Sequence, residues 1–233
     1  MQLYDLSLFN TLALNFAYQE FKTKLLSGPH PQFYNKDSCL PVISSECPGW
    51  VCYAEKRCAE LSLPHMSAVK SGQQLFGSLI RMIELNSKVV TIMPCYDKKL
   101  EAVRPNFKFA EPPVKEVDTV LATHELIELF DKLQIKFEDI QPCMPEDEEM
   151  KELDPEIEFL NNARNPKMLN IDTLFGRTSN GYLEYVFRRA AMELYKVEIP
   201  NNQPLQYKQG KNRHYQEVTY PAVDLKFVQA YGF

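Results

Sequence analysis

The chain has 233 residues, 45% of them hydrophobic and 24% charged, with 26 Lys+Arg against 31 Asp+Glu for a net charge of −5. That balance supplies a sizeable core and excludes a general nucleic-acid coat, which needs a positive face to displace counterions. No apolar run is long enough to span a bilayer. The opening MQLYDLSLFN has Asp5 where a signal peptide carries positive charge, so no secretory leader is expected. Neither the dinucleotide fingerprint nor the phosphate-cradling loop occurs.

In chain order, Leu14, Tyr18, Phe21 and Leu25 recur at helical spacing and predict a helix over 7–26. SGPHPQFYNKDS then reads as a loop. LPVIS (40–44) predicts a short strand, leading through Glu46-Cys47-Pro48-Gly49 into a helix over 50–55. Ser71 with Gln74 makes a capping box before the helix of LFGSLIRMIEL. KVVTIM (88–93) is rich in β-branched residues and predicts a buried strand, running through Pro94-Cys95 into a helix at YDKKLEA. DTVLA (118–122) is a third such strand. Thr123 is placed to cap the next helix, where Leu126, Leu129, Phe130 and Leu133 share a face.

Residues 144–158 hold eight acids and one Lys, a composition expected of a solvated loop. Gly181 precedes a helix in which Leu183, Val186, Phe187, Ala190 and Leu194 form a core stripe. QEVTYPAVDLKFVQAYGF at the end predicts a β-hairpin. Three strand-then-helix units imply an α/β fold with a mainly parallel sheet, whose ligands bind beyond the carboxyl ends of the strands.

The six cysteines are Cys39, Cys47, Cys52, Cys58, Cys95 and Cys143. No C-x-x-C or C-x-x-x-C occurs, so zinc-finger and ribbon patterns are absent. The four histidines lie far apart, without H-E-x-x-H, which disfavours a zinc hydrolase. Without a secretory start, reduced thiols are expected. Cys47 and Cys95 stand apart from the rest: each follows a predicted strand, precedes a helix and adjoins a proline. Helix N-termini offer free N–H groups and partial positive charge, which favour the metal-binding thiolate and can hydrogen-bond cluster sulfides. The alternative for each is a buried structural thiol. Cys52 and Cys58 read as packing residues.

SSECPGWVCYAEK (44–56) and TIMPCYDKKLEAVRP (91–105) resemble the two cysteine motifs of the iron-only hydrogenase family. They are most similar to its eukaryotic, non-hydrogenase branch of cytosolic iron–sulfur assembly factors and prelamin A recognition factors. SAVKSGQQLFGSLIRM, DTVLATHELIELF, GYLEYVFRRAAMELY and RHYQEVTY fit the same family in order, covering nearly the whole chain. The resemblance implies one two-lobed α/β hydrogenase-like domain over 1–233, with mainly parallel sheets flanked by helices and incomplete at both ends. It implies that Cys47 and Cys95 are two of four ligands to a [4Fe–4S] cluster. The other two belong to a late C-x-x-x-C motif that this sequence lacks.

Active hydrogenases of the family carry a cysteine where this chain has Glu46, and use a lysine matching Lys98 against the diiron site; a helix-start or surface lysine is the simpler reading of Lys98. Trp50 and Tyr96 are candidates to wall the site or to pack in the core. The resemblance thus implies a non-catalytic cluster-assembly protein of the cytoplasm, docking to proteins of the cytosolic assembly and targeting complex. The alternatives are a nuclear prelamin A binding protein and a metal-free remnant of the fold. Hydrogenase activity is disfavoured, and neither nucleic acid nor a membrane is an expected partner.

Overall fold

The computed structural model describes residues 2–27, 40–109, 113–139, 181–200, 203–212, 214–220 and 222–230. The loop expected at SGPHPQFYNKDS (27–38), apart from Ser27, and the acidic stretch at 144–158 lie outside them. The chain divides into two compact units, one drawn from residues 1–9, 47–57 and 70–169, the other from 10–46, 58–69 and 170–233.

The first unit is built on a parallel strand pair. β1 (Val90–Met93) pairs with β4 (Thr119–Ala122), with Val90 opposite Thr119 and Met93 opposite Ala122. Both strands follow the β-branched runs of the sequence. They are not buried on both faces: Val90 is 53% and Ile92 47% exposed, while Thr91 and Val120 point inward. A short antiparallel pair, β2 (Lys108–Phe109) with β3 (Val114–Lys115), adjoins them in sequence. Among the named strands of the described residues, only β1 and β4 pair parallel; the others pair antiparallel.

Helices α2 (Pro48–Arg57), α4 (Gly72–Ile83), α5 (Asp97–Ala102) and α6 (Thr123–Lys132) complete this unit. Ser71 caps α4 by accepting from the Gln74 N–H. The reciprocal half of the box does not form: the Gln74 amide is buried without a hydrogen-bond partner among the described residues. Thr123 is the first residue of α6 and not its cap. That place belongs to Ala122, whose N–H donates to the Glu125 carboxylate at 2.9 Å. On α6, Leu126 and Phe130 are half-buried but Leu129 and Leu133 are exposed, so the expected stripe is only partly used.

The core gathers Phe9, Phe76, Val89, Ala102, Val117 and Val120. Phe9 and Phe76 meet edge to face at 5.1 Å. Arg81 is 2% exposed and serves as an internal strut. It donates to the carbonyls of Lys115, Leu85 and Ser87 and pairs with Asp118 at 2.6 Å. Burial alone would raise the Asp118 carboxyl, but the Val89 N–H and Arg81 outweigh it and hold the group below its ordinary range.

The second unit packs most of α1 (Ser7–Ser27) and α7 (Tyr182–Tyr195) on a three-stranded antiparallel sheet. Its order is β5 (Tyr207–Gln209), β6 (Tyr215–Tyr220), β7 (Val223–Ala230). β6 and β7 are the expected hairpin; β5 adds a strand that the sequence pattern does not announce. Tyr18, Phe21, Leu25, Val186, Phe187, Ala190 and Val218 fill the core, as the helical periodicity requires. Gly181 opens α7 at φ 72, a conformation that disfavours any side chain. Arg188, 9% exposed, donates to the carbonyls of Ile199, Pro200 and Gln203 and so ties α7 to the segment entering β5.

The strand expected at LPVIS reduces to a single bridge. Ile43 pairs with Met66, its N–H donating to the His65 carbonyl at 2.8 Å and its carbonyl accepting from Ser67 at 2.9 Å. Pro41 has no N–H to donate. The Leu63–His65 3-10 turn offers a partner for one residue and not for a ladder.

Candidate metal centre

Cys47 and Cys95 fall in the same unit, each at the start of a helix, and both are exposed thiols. Cys47 immediately precedes α2, whose first residue is Pro48. Proline suits that place because the first helical N–H lacks a partner in any case. The Cys47 carbonyl accepts from Val51 at 3.1 Å, closing the first turn. Its Sγ accepts from the Trp50 N–H at 3.4 Å, so sulfur occupies the position an N-cap oxygen usually takes.

Cys95 leaves β1 after Met93-Pro94 and leads into α5. Its carbonyl accepts from the Lys98 N–H at 3.2 Å and its Sγ from the Asp97 N–H at 3.5 Å. Each sulfur therefore already accepts a backbone N–H, the kind of donor that surrounds cluster-bound thiolates.

Asp97 joins the two. While its N–H meets Cys95, its carboxylate Oδ2 accepts from the Cys47 thiol at 3.9 Å. The same carboxylate packs on Gly49 in the first turn of α2, so closely that a Cβ at position 49 would lie 2.5 Å from Oδ2. A negative group there complements the helix N-terminus. The sequence reading missed both Asp97 and Gly49. An acidic residue in the first turn of α5 and a lone glycine after Cys47-Pro48 were the available signals.

Beneath this surface lies a buried polar network. Lys98 is 5% exposed, so it sits in the helix start but is not a surface lysine. Its Nζ pairs with Glu101 at 3.3 Å. Gln73 Nε2 donates to the Lys98 carbonyl at 3.2 Å and to Glu101 at 3.3 Å, and its Oε1 accepts from the Thr91 hydroxyl at 3.1 Å. The network locks α4, β1 and α5 behind Cys95.

The other candidates separate from this pair. Cys52 lies one turn along α2 and accepts from Arg104 at 3.8 Å. That guanidinium also pairs with Glu55, whose hydrogen bond raises it above its ordinary range. Cys58 is exposed and caps α3 (Ala59–Ser62), so it is not the packing residue expected. Cys39 and Cys143 lie outside the described residues. Trp50 is half-buried, whereas Tyr96 is 52% exposed, beside Lys99 at 5.7 Å from its ring, and packs in no core.

An iron–sulfur cubane takes four ligands, thiolates above all. Two exposed thiols that share a neighbour fit two of those places. Among the described residues, no group of three or more His, Cys, Asp or Glu is arranged to hold a metal ion.

Comparison with known proteins supplies the family. The family model for the C-terminal domain of the iron-only hydrogenase large subunit matches residues 2–233. A cytosolic Fe-S cluster assembly factor narfl of Danio rerio is 38% identical over 205 residues, covering 83% of this chain and 46% of that protein. Cytosolic iron-sulfur assembly component 3 of Rattus norvegicus is 35% identical, over 95% of this chain and 45% of its own length. The chain thus spans about half the length of the curated relatives it matches. An apo [FeFe]-hydrogenase from Chlamydomonas reinhardtii superposes with a TM-score of 0.60 at 23% identity, over 91% of this chain and 47% of that one. The α/β hydrogenase-like fold is shared with that enzyme, and by sequence the chain belongs to the iron-only hydrogenase family, in the C-terminal domain of its large subunit.

Proposed function

We propose that this chain is a non-catalytic iron–sulfur protein of cytosolic cluster assembly, in which Cys47 and Cys95 are two ligands of a [4Fe–4S] cluster. The observation that carries the reading is Asp97 touching both sulfurs, at two separate helix starts in one compact unit. Such a cluster supplies one-electron redox chemistry and a transferable iron–sulfur unit. The chain's own part is to hold two thiols side by side, donate the Trp50 and Asp97 N–H groups to their sulfurs, and set the destination by docking to assembly proteins.

The non-catalytic role is supported by the names of the relatives, which are assembly factors. It is also supported by Glu46 at the position where active hydrogenases of the family carry cysteine, and by Lys98, whose ammonium is engaged by Glu101.

Anaerobic reconstitution with ferrous iron, sulfide and a small thiol tests the reading. Iron and acid-labile sulfide should enter in equal amounts, and Cys47→Ala or Cys95→Ala should abolish most of the uptake. Uptake unchanged in both variants would overturn it. Affinity capture with cytosolic assembly proteins should retain the chain; retention by a farnesylated prelamin peptide instead would favour the nuclear alternative.

A further inference from the structure

Asp97 does two different things with two different groups. Its backbone N–H holds the Cys95 sulfur, and its side chain reaches the Cys47 sulfur across 50 residues of sequence. The carboxylate can lie there only because position 49 has no Cβ, since the nearest approach would be 2.5 Å to Oδ2 and 3.2 Å to Cγ. Contacts below 3 Å force something to move, and here the movable group is the carboxylate itself. Gly49, not in left-handed backbone, is therefore explained by close approach and not by its conformational freedom.

We propose that Asp97 is the positioning residue of the two-thiol site. It fixes the start of α2 against the start of α5 so that Cys47 and Cys95 are presented together before any metal arrives. This rests on reading the two thiols as one ligand pair. Its physical content is preorganisation: a site whose donors are already juxtaposed spends less on ordering them when it binds. The role requires a hydrogen-bond acceptor at the Cys47 thiol, which an amide oxygen in the same place supplies; the charge of the carboxylate adds only its attraction to the start of α2.

Cross-linking of the metal-free chain with a short bis-maleimide is the test, reading the Cys47–Cys95 peptide pair by mass spectrometry. Asp97→Asn should cross-link as the unchanged chain does. Asp97→Ala, and Gly49→Ala by displacing the carboxylate, should each lower the yield at least fivefold, with single alkylation of each thiol and the thermal melt retained. Equal yields in all four proteins would overturn the proposal, as would Asp97→Asn falling together with Asp97→Ala. If Asp97→Ala does not fold, the Gly49→Ala and Asp97→Asn pair decides. The assay uses no iron, so it stands apart from the cluster reading. The expected pattern in a chain that takes up no iron would end that reading and leave the role of Asp97 intact.

Discussion

Lys98 Nζ lies 3.3 Å from Glu101 Oε2, one turn apart on α5, and both side chains are almost wholly out of water. A pair of this kind costs desolvation, and removing one partner leaves a buried charge uncompensated. Gln73 shares the Glu101 carboxylate, so the damage extends to the contact between α4 and α5.

Lys98→Ala should therefore destabilise the chain by about 3 kcal/mol. The double change Lys98→Met with Glu101→Leu should cost much less, because no orphan charge remains. Urea unfolding midpoints of the three proteins check this. A single variant as stable as the parent would mean that the pair is solvated in solution.

Gly77 faces the backbone of Glu116, and a Cβ there would lie 2.6 Å from its carbonyl oxygen. Backbone cannot rotate aside as a side chain can. Gly77→Ala should cost about 1–3 kcal/mol despite the better helix propensity of alanine. A melt unchanged or raised would show that α4 can shift outward without loss.

Glu193 accepts from the Tyr18 hydroxyl at 2.7 Å, Lys22 at 3.0 Å and Arg189 at 2.7 Å. Those bonds, Tyr18 first, hold its carboxyl at about 2, down from 4.5. Burial, and then the Glu193 bond, push the Tyr18 hydroxyl well above the ordinary phenol range. A depressed carboxyl contributes stability above its unfolded value and loses it as pH falls through the folded one. The stabilisation should be complete above about pH 5 and fade towards pH 2, amounting to about 1 kcal/mol because solvent screens the group. Glu193→Gln should flatten that acid limb in urea midpoints measured against pH. An identical acid limb in the variant would contradict the assignment.

The strong periodicities were legible in the sequence. α1 and α7 bury the stripes that their spacing marks, and β1 and β4 follow the β-branched runs between helical segments. The turn carrying Cys95 was legible too, because Pro94-Cys95 punctuates the change from β1 to α5; for Cys47 only the helix start after it was legible, and the strand expected before it does not form.

What the sequence does not carry is set by partners far along the chain. The contact of Asp97 with Cys47 spans 50 residues, and the burial of Lys98 depends on where Gln73 lies. β5 is three residues long and exists because β6 offers an edge. Among the described residues Ile43 finds only one bridging partner, so the LPVIS run, read locally as a strand, is not one there.

The central claim is that Cys47 and Cys95 hold iron together, and selective protection of thiols measures it most directly. After anaerobic reconstitution, the chain is pulsed with a small alkylating agent and each cysteine is quantified by mass spectrometry. The account predicts that Cys47 and Cys95 become protected together, while the exposed Cys58 stays reactive, and that chelation restores both. Iron bound with Cys47 and Cys95 still fully reactive, or only one of them protected, would contradict it.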